Sequence, residues 1–404
     1  MPVLAQTSVI ELTDGIAGSC CGLQLADAGA DVIKVESMLG DSLRELGPKI
    51  KGHSSLFMSL NRDKRSIALD YHKPEGYKIL EQLLRQADVI VEDLGISNAG
   101  ILGCTYEKFR QINSKLIHCS ITPYGTSGPY KDLPASELEI QGLAGSMWFL
   151  GKIGESPVRV ASDIASGAAA SLSFSGILAA LYWQMLSGEG QKIEVSLFGS
   201  LLSLYSYWMA DFSDPDNYSG GAMDPYCNPE FGYQTKDKPI LFGFFGRRED
   251  RKEPWQQFCK SVGLAELLED PFIAEHGAGM VGVGQDAQDM KPVLETALVN
   301  WSSDDLMKIT WEIGGAGAPF LGYEDLFGEN LHPQVEATEI VGDIPHPEGG
   351  YYRAILSPWG NHGELGIDTH NAPPRLGQDT NDILVKLGYK ESYIKTLKEN
   401  GIVK

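Results

Sequence analysis

Val9-Ile-Glu-Leu12-Thr-Asp-Gly15-Ile-Ala-Gly18-Ser-Cys-Cys-Gly22, continuing through Leu25 and Ala26 to Asp31-Val-Ile-Lys-Val-Glu36, is the stretch whose reading decides the fold. Val9 to Leu12 is a short β-prone run, and Thr13-Asp14-Gly15 is a turn. Residues 16–29 carry small and apolar side chains at helical spacing, and 31–36 is a second β-prone run. Strand, glycine-bearing turn, helix and strand make a βαβ unit, which predicts a parallel sheet. An acid ends the second strand, as in a dinucleotide-binding unit. The glycines are spaced GxxGxxxG, however, not GxGxxG, which disfavours a nicotinamide-dependent dehydrogenase.

The pattern repeats downstream. Ser66 to Asp70 reads as a strand, and Pro74 opens a helix reaching Gln86 with Ile79, Leu80, Leu83 and Leu84 on one face. Asp88 to Glu92 is a strand, 106–113 a helix, and Leu116 to Ile121 a strand. Residues 1 to about 125 therefore read as a doubly wound, Rossmann-like α/β layer. Ligands of such sheets bind outside the carboxyl ends of the strands. Those ends carry Thr13 to Gly15, Glu36-Ser37, Glu92-Asp93 and Pro123-Tyr124-Gly125. The cluster Asn61-Arg62-Asp63-Lys64-Arg65 is basic in an acidic chain, and is either a solvated loop or a phosphate clamp.

A second informative stretch is Val158-Arg-Val-Ala-Ser-Asp163-Ile-Ala-Ser-Gly167. A strand is expected over 158–160, and a small-residue helix over 168–186, closed by Ser187-Gly188. Asp163 falls at or near the helix N-cap, where unpaired backbone N–H groups and the helix dipole favour a carboxylate. It is either a cap or an ionised nucleophile. A strand over 191–197 and a helical segment from 198 to about 210 follow. Residues 211–229 are linker-like, and 231–246 reads as a hairpin turning at Lys236-Asp237-Lys238. Helices are expected over 255–262, 290–299 and 305–314, with mostly irregular chain over 264–288. Irregular strands from His332 to Pro374, a late helix ending at Gly388 and a terminal helix over 392–400 complete the chain.

The 404 residues carry 33 Lys plus Arg against 54 Asp plus Glu, a net charge of −21. That argues against nucleic acid or an anionic membrane as partner. Cys20, Cys21, Cys104, Cys119, Cys227 and Cys259 are scattered without a CxxC pair, so neither zinc nor a disulfide framework is indicated. They fit a reducing compartment, and a cytoplasmic location is the expectation. No signal-peptide pattern opens the chain and no apolar run is read as a membrane span.

Several blocks together resemble the family III (CaiB/BaiF-type, formyl-CoA transferase-like) CoA-transferases. They are residues 11–18, 26–36, 61–70, 87–92, 124–130, the Asp163 segment, 190–197 and 376–380, in family order. The resemblance implies an interlocked homodimer of ring-like chains. The large Rossmann-like domain would comprise 1–210 and 331–404, with a linker and small α+β middle domain over 211–330. It implies that Asp163 attacks an acyl-CoA thioester to give a mixed anhydride, and that the acceptor is a carboxylic acid. CoA enters as thioester substrate; no metal and no permanently bound cofactor is implied. Glu137 resembles the family's transferase-type acid and would orient or polarise the site, with Gln141 one turn on. Members that racemise 2-methylacyl-CoA have His-Asp where this chain has Ser136-Glu137, which disfavours a racemase because the imidazole base is missing. A non-catalytic subunit paired with an active paralogue is the alternative from another class, and the presence of Asp163 speaks against it.

By the same resemblance, Gly15, Ile16 and Ala17 stand beside the thioester, and Lys64 with Arg65 would meet CoA phosphates. Asp93 and Leu94 replace the family's Asn-Phe, leaving a backbone contact to CoA. Tyr124 and Gly125 would cover the pantetheine. Ser37 and Met38 stand where relatives often have arginine. Residues 243–246 and 276–279 are candidate lids, Arg247-Arg248 a candidate carboxylate clamp, and Tyr205, Tyr207, Trp208 and Tyr226 candidate walls of an acyl pocket.

Overall fold

The computed structural model describes residues 2–149, 156–204, 231–282, 285–358, 366–367 and 369–404. Tyr205, Tyr207, Trp208 and Tyr226 lie outside the described residues. The chain divides into two compact units, one of Met1–Ala144, Val160–Tyr207 and Gln334–Lys404, the other of Gly145–Arg159 and Trp208–Pro333.

The first unit is built on a six-stranded parallel sheet: β1 (Ser8–Leu12), β2 (Asp31–Glu36), β3 (Arg65–Ala68), β4 (Val89–Glu92), β5 (Ile117–Thr122) and β6 (Lys192–Ser196). Their spatial order is β3-β2-β1-β4-β5-β6, that of a dinucleotide-binding sheet with its switch point between β1 and β4. Ile10 pairs with Ile33 on one side and Ile90 on the other. Alternate side chains leave by opposite faces. Ile10, Leu12, Ile33, Val35 and Ile67 pack under α2 (Pro74–Gln86), α3 (Tyr106–Ile112) and the late helices 380–386 and 391–399. Val9, Val32, Val89 and Val91 pack under α1 (Ile16–Asp27) and the long helix 164–187.

The edge strand β3 is completed by the C-terminus. The Ser66 amide donates to Asp379 at 2.8 Å and the Ala68 amide to Thr380 Oγ1 at 3.3 Å. Those side chains satisfy donors that a bare sheet edge would leave unpaired, so the block at 376–380 has a structural reason.

The remaining helices of this unit that bear on function are α4 (Glu137–Leu143), α5 (Ile164–Ser187) and α6 (Leu197–Leu204). No strand forms over 158–160, which corrects the sequence expectation. The Val160 amide is taken by the Gln141 side chain at 3.0 Å instead of a neighbouring strand. The α5 helix ends on Gly188 in the left-handed region at φ 75°. Its 24 residues include a window of mean hydropathy 1.7. By length and composition that meets the requirement of a membrane span, contrary to the reading of the sequence. Here Ala169, Ala170, Ile177 and Ala180 bury one face of it against the sheet.

In the second unit β7 (Ile240–Phe244) pairs antiparallel with β8 (Gly315–Pro319). The expected hairpin over 231–246 is reduced to one bridge, Tyr233 to Ile240, because β7 takes the more distant partner. Phe242, Phe244, Trp255 and Phe258 form its core with the helices 248–262, 285–298 and 303–312.

Candidate active site

The carboxyl ends of β1 and β4 part at the switch point, and the gap is closed by backbone-to-carboxylate bonds. The Asp14 amide donates to both Asp93 oxygens, at 2.9 and 3.1 Å. The Asp14 carboxylate accepts from the Ser42 amide at 2.6 Å. Buried Glu92 accepts from the Leu94 amide at 2.9 Å and meets His118 Nε2 at 3.1 Å, so the turn at 93–95 is held from beneath. Two clefts open here. One, of about 300 Å³, is lined by Asp93, Leu94, Thr122, Pro123, Lys131 and Ala135 among others. The smaller, of about 70 Å³, lies over Thr13, Asp14, Ser37, Asp41, Tyr71 and Asp93. No sequence signal marks Lys131 or Tyr71. A single lysine after a turn, or a tyrosine after a strand, carries no pattern that separates it from ordinary surface.

The glycine spacing that argued against nicotinamide has a steric explanation. A Cβ on Gly15 would come within 2.9 Å of the Asp93 carboxylate, one on Gly18 would overlap the Thr13 side chain, and one on Gly22 would overlap Glu11. These glycines make room for polar groups of the sheet beneath α1.

Asp163 stands at the N-cap of α5, with φ −82° and ψ 66°, and its side chain makes no capping hydrogen bond. Glu137 does the capping. Its Oε1 accepts from the Ala165 amide at 2.8 Å, and its Oε2 accepts from the Ser166 amide at 3.0 Å and the Ser166 hydroxyl at 2.8 Å. Gln141, fully buried, donates to Glu137 at 3.0 Å and to the Ser162 carbonyl at 3.2 Å. Glu137 and Gln141 are four residues apart on one face of α4, so one carboxylate and one amide grip both sides of Asp163. Ser136 caps α4 in turn through a capping box with Glu139. Ile140, Ala144, Ala165 and Leu201 bury a small apolar cluster that locks α4, α5 and α6 together, and the Tyr124 side chain packs against it. Gly125 follows at φ 96°, a conformation that favours glycine, and its amide donates to Thr122 Oγ1 at 3.0 Å.

The first turn of α1 comes to the same level. Helices α1 and α5 cover one face of a parallel sheet, and Gln24 donates to Ser171 at 3.2 Å. Gln24 lies nine residues past Gly15 and Ser171 eight past Asp163. At 1.5 Å per residue the two N-caps stand at nearly equal height. Gly15, Ile16, Ala17, Glu137, Gln141, Asp163, Tyr124 and Gly125 thus belong to one edge of the sheet, together with Asp93 and Leu94. Two helix N-termini facing that edge favour an anionic or oxyanionic ligand.

Lys64 and Arg65 require correction as phosphate contacts. Lys64 is buried under α1, its ammonium 2.7 Å from Glu11, 2.8 Å from the Ser19 carbonyl and 2.9 Å from Asn61. Its neighbour Arg65 begins β3 and pairs with Asp31 at the start of β2, by bonds of 2.8 and 2.5 Å, away from the carboxyl ends. Arg62 likewise turns inward, to both Asp27 oxygens at 2.8 Å. The one group among the described residues with cation-ligand spacing, Asp27, Asp63 and His370, thus already has a guanidinium as countercharge. Burial pushes Glu11 up and Lys34 down, but their mutual attraction outweighs it: Glu11 is held below its usual range and Lys34 above. For Lys64 burial prevails and its pKa is lowered.

The candidate lids are differently built from what the sequence suggests. Gly243 lies within β7, and Gly277 is pressed under the Trp255 indole, so neither stretch is an open loop throughout. Arg247 and Arg248 open the helix 248–262 and are exposed.

Burial pushes the Asp93 carboxyl up to about 7, against the pull of the Asp14 amide and Lys34. Its ordinary value is near 4, so between about pH 4 and 7 the unfolded chain releases a proton that the fold retains, and stability falls as pH rises through that window. Asp93→Asn keeps an oxygen for the Asp14 amide and removes the titration. Thermal melts should show the variant more stable than the native protein at pH 8, with the gap closed by about pH 4. A gap that does not change with pH would overturn this reading.

Comparison with known proteins follows the same geometry. The profile of CoA-transferase family III matches residues 4–380. A succinate–glutarate CoA-transferase of Agrobacterium fabrum is 29% identical over 96% of both chains. A formyl-CoA:oxalate CoA-transferase of Streptomyces avermitilis is 28% identical over 98% of both. The crystal structure of a CaiB/BaiF family protein from Brucella suis superposes with a TM-score of 0.77 at 27% identity, covering 95% of this chain and 98% of that one.

Proposed function

The chain belongs to CoA-transferase family III and is an enzyme of CoA transfer, and on that premise we propose that it moves CoA from an acyl-CoA to a carboxylic acid through covalent intermediates on Asp163. The observation that carries this is the exchange of caps. Glu137 supplies the hydrogen bonds that α5 needs, which spares the Asp163 carboxylate from serving its own helix.

In the reaction a carboxylate oxygen of Asp163 attacks the thioester carbonyl. The C–S bond breaks, CoA leaves as thiolate and an acyl-aspartyl anhydride remains. The thiolate attacks the aspartyl carbonyl of that anhydride, forming an aspartyl-CoA thioester and expelling the donor acid as carboxylate. The acceptor carboxylate then attacks the aspartyl-CoA carbonyl and the thiolate leaves again. Its return to the acceptor's acyl carbon yields the new acyl-CoA and restores Asp163. No proton or electron is gained or lost over the cycle. A carboxylate is a weak nucleophile, so position is the main requirement. Gln141 and Glu137 supply it by holding Ser162, Ala165 and Ser166 on either side of Asp163. Backbone N–H groups at the starts of α1 and α5 are the available donors for the oxyanion. Lys131 is the cation lining the larger cleft, suited to a phosphate or carboxylate of the substrates.

The relatives' names support short dicarboxylic acids as the acceptor class. Tyr182, Met185 and Leu186 of α5 are 66, 82 and 66% exposed, a patch whose apolar character supports a second copy as its cover. One preparation tests the reading. The purified chain alone should scatter light as a dimer of its 44.0 kDa mass. After incubation with succinyl-CoA and hydroxylamine, the peptide holding Asp163 should carry a hydroxamate by mass spectrometry. An unmodified peptide from an active preparation would sink the covalent route, and activity that needs a second polypeptide would favour a heteromer.

A further inference from the structure

Lys34 has no exposed side-chain surface, and it lies in β2 on the face covered by α1. Its ammonium is 2.7 Å from Glu11 and 2.6 Å from Asp41, and donates to the Thr13 carbonyl and Ser19 Oγ at 3.2 Å each. Glu11 belongs to β1, and Asp41 to the loop after β2. Thr13 and Asp41 both line the smaller cleft, one from the turn after β1 and the other from the loop after β2. The two segments are joined again by the Ser42 amide, which donates to Asp14 at 2.6 Å. Within each segment Thr13 Oγ1 donates to Glu11 at 2.9 Å and the Leu43 amide to Asp41 at 2.7 Å. One buried cation therefore ties the turn before α1 to the loop 41–43.

Stability alone does not account for such an arrangement. A buried ion cluster is often no more stable than well-packed apolar side chains of equal volume, because each charge loses its hydration. An apolar residue would fill the space without fixing the Thr13 carbonyl or the Asp41 carboxylate in direction. We infer that Lys34 is a positioning residue, holding Thr13, Asp14 and Gly15 against loop 41–43 so that the first turn of α1 is already placed when acyl-CoA arrives. The inference rests on the proposed location of the thioester at that turn.

Lys34→Met in the full chain tests it by two readouts, hydrogen exchange and steady-state kinetics. Exchange should rise about tenfold in peptides covering 12–16 and 40–44 while the peptide covering β4 stays unchanged. The KM for acyl-CoA should rise about tenfold with kcat within about twofold, the pattern of lost binding that is common to ground and transition states. If that variant does not fold, Asp41→Asn keeps the Lys34–Glu11 pair and should move the same readouts in the same direction by a smaller factor. Exchange that is unchanged in 12–16, or that rises equally over the whole sheet, would overturn the positioning role. Local loosening with an unchanged KM would overturn the placement of the thioester at this turn, and with it the catalytic half of the inference.

Discussion

Asp163→Asn is expected to lower kcat for CoA exchange by on the order of 10⁴-fold while leaving stability within about 0.5 kcal/mol of the native protein. The loss of rate follows from the chemistry, since an amide cannot open the thioester and return as a leaving group. The small effect on stability follows from the structure. Asp163 occupies the N-cap without a capping bond through its side chain, and Glu137 accepts from the Ala165 and Ser166 amides, so replacing Asp163 by Asn leaves the cap of α5 in place. A residue kept only to start the helix would behave differently, with the rate retained and about 1 kcal/mol lost in Asp163→Ala. Exchange assays with thermal melts on the same preparation separate the two. Undiminished exchange by the Asn variant would end the assignment of the nucleophile.

Glu137→Ala should produce the complementary pattern. It deletes the acceptor for the Ala165 and Ser166 amides and the Ser166 hydroxyl, and leaves the Gln141 amide without one partner. Loss of a cap of this kind costs about 1–2 kcal/mol. The start of α5 then frays, Asp163 is no longer held, and kcat should fall by about 10²–10³-fold even though the nucleophile is present. Glu137→Gln should lie between. One oxygen still accepts an amide hydrogen, while the new NH₂ group faces a donor it cannot pair with. Normal activity in Glu137→Ala, with Asp163 still required, would show that the cap plays no part in catalysis.

Much of the architecture was open to a reader of the chain. Short β-prone runs mark the strands β1 to β5, the intervening periodicity marks helices, and alternating elements leave little but a parallel sheet. The carboxyl ends named from that pattern include Thr13, Asp14, Asp93 and Tyr124, which line or adjoin the clefts. Where local signals misled, a distant partner had intervened. Val158 and Val160 have the composition of a strand, but none of the described strands pairs with them and the Val160 amide turns to Gln141. Lys64 and Arg65 have the composition of a phosphate clamp, but β3 places one under α1 and the other beside Asp31.

The sequence by itself determined the parallel sheet, the positions of its strand ends and an aspartate at the start of a long helix, because each depends on neighbours a few residues away. Tertiary structure decided which carboxylate caps that helix, which cations are buried and why the glycines of α1 are spaced as they are. Those outcomes rest on contacts such as Glu137 with Ser166, Glu11 with Lys64 and Gly15 with Asp93. Strand order and helix register bring such groups together across tens of residues, and no local periodicity records the distance between them.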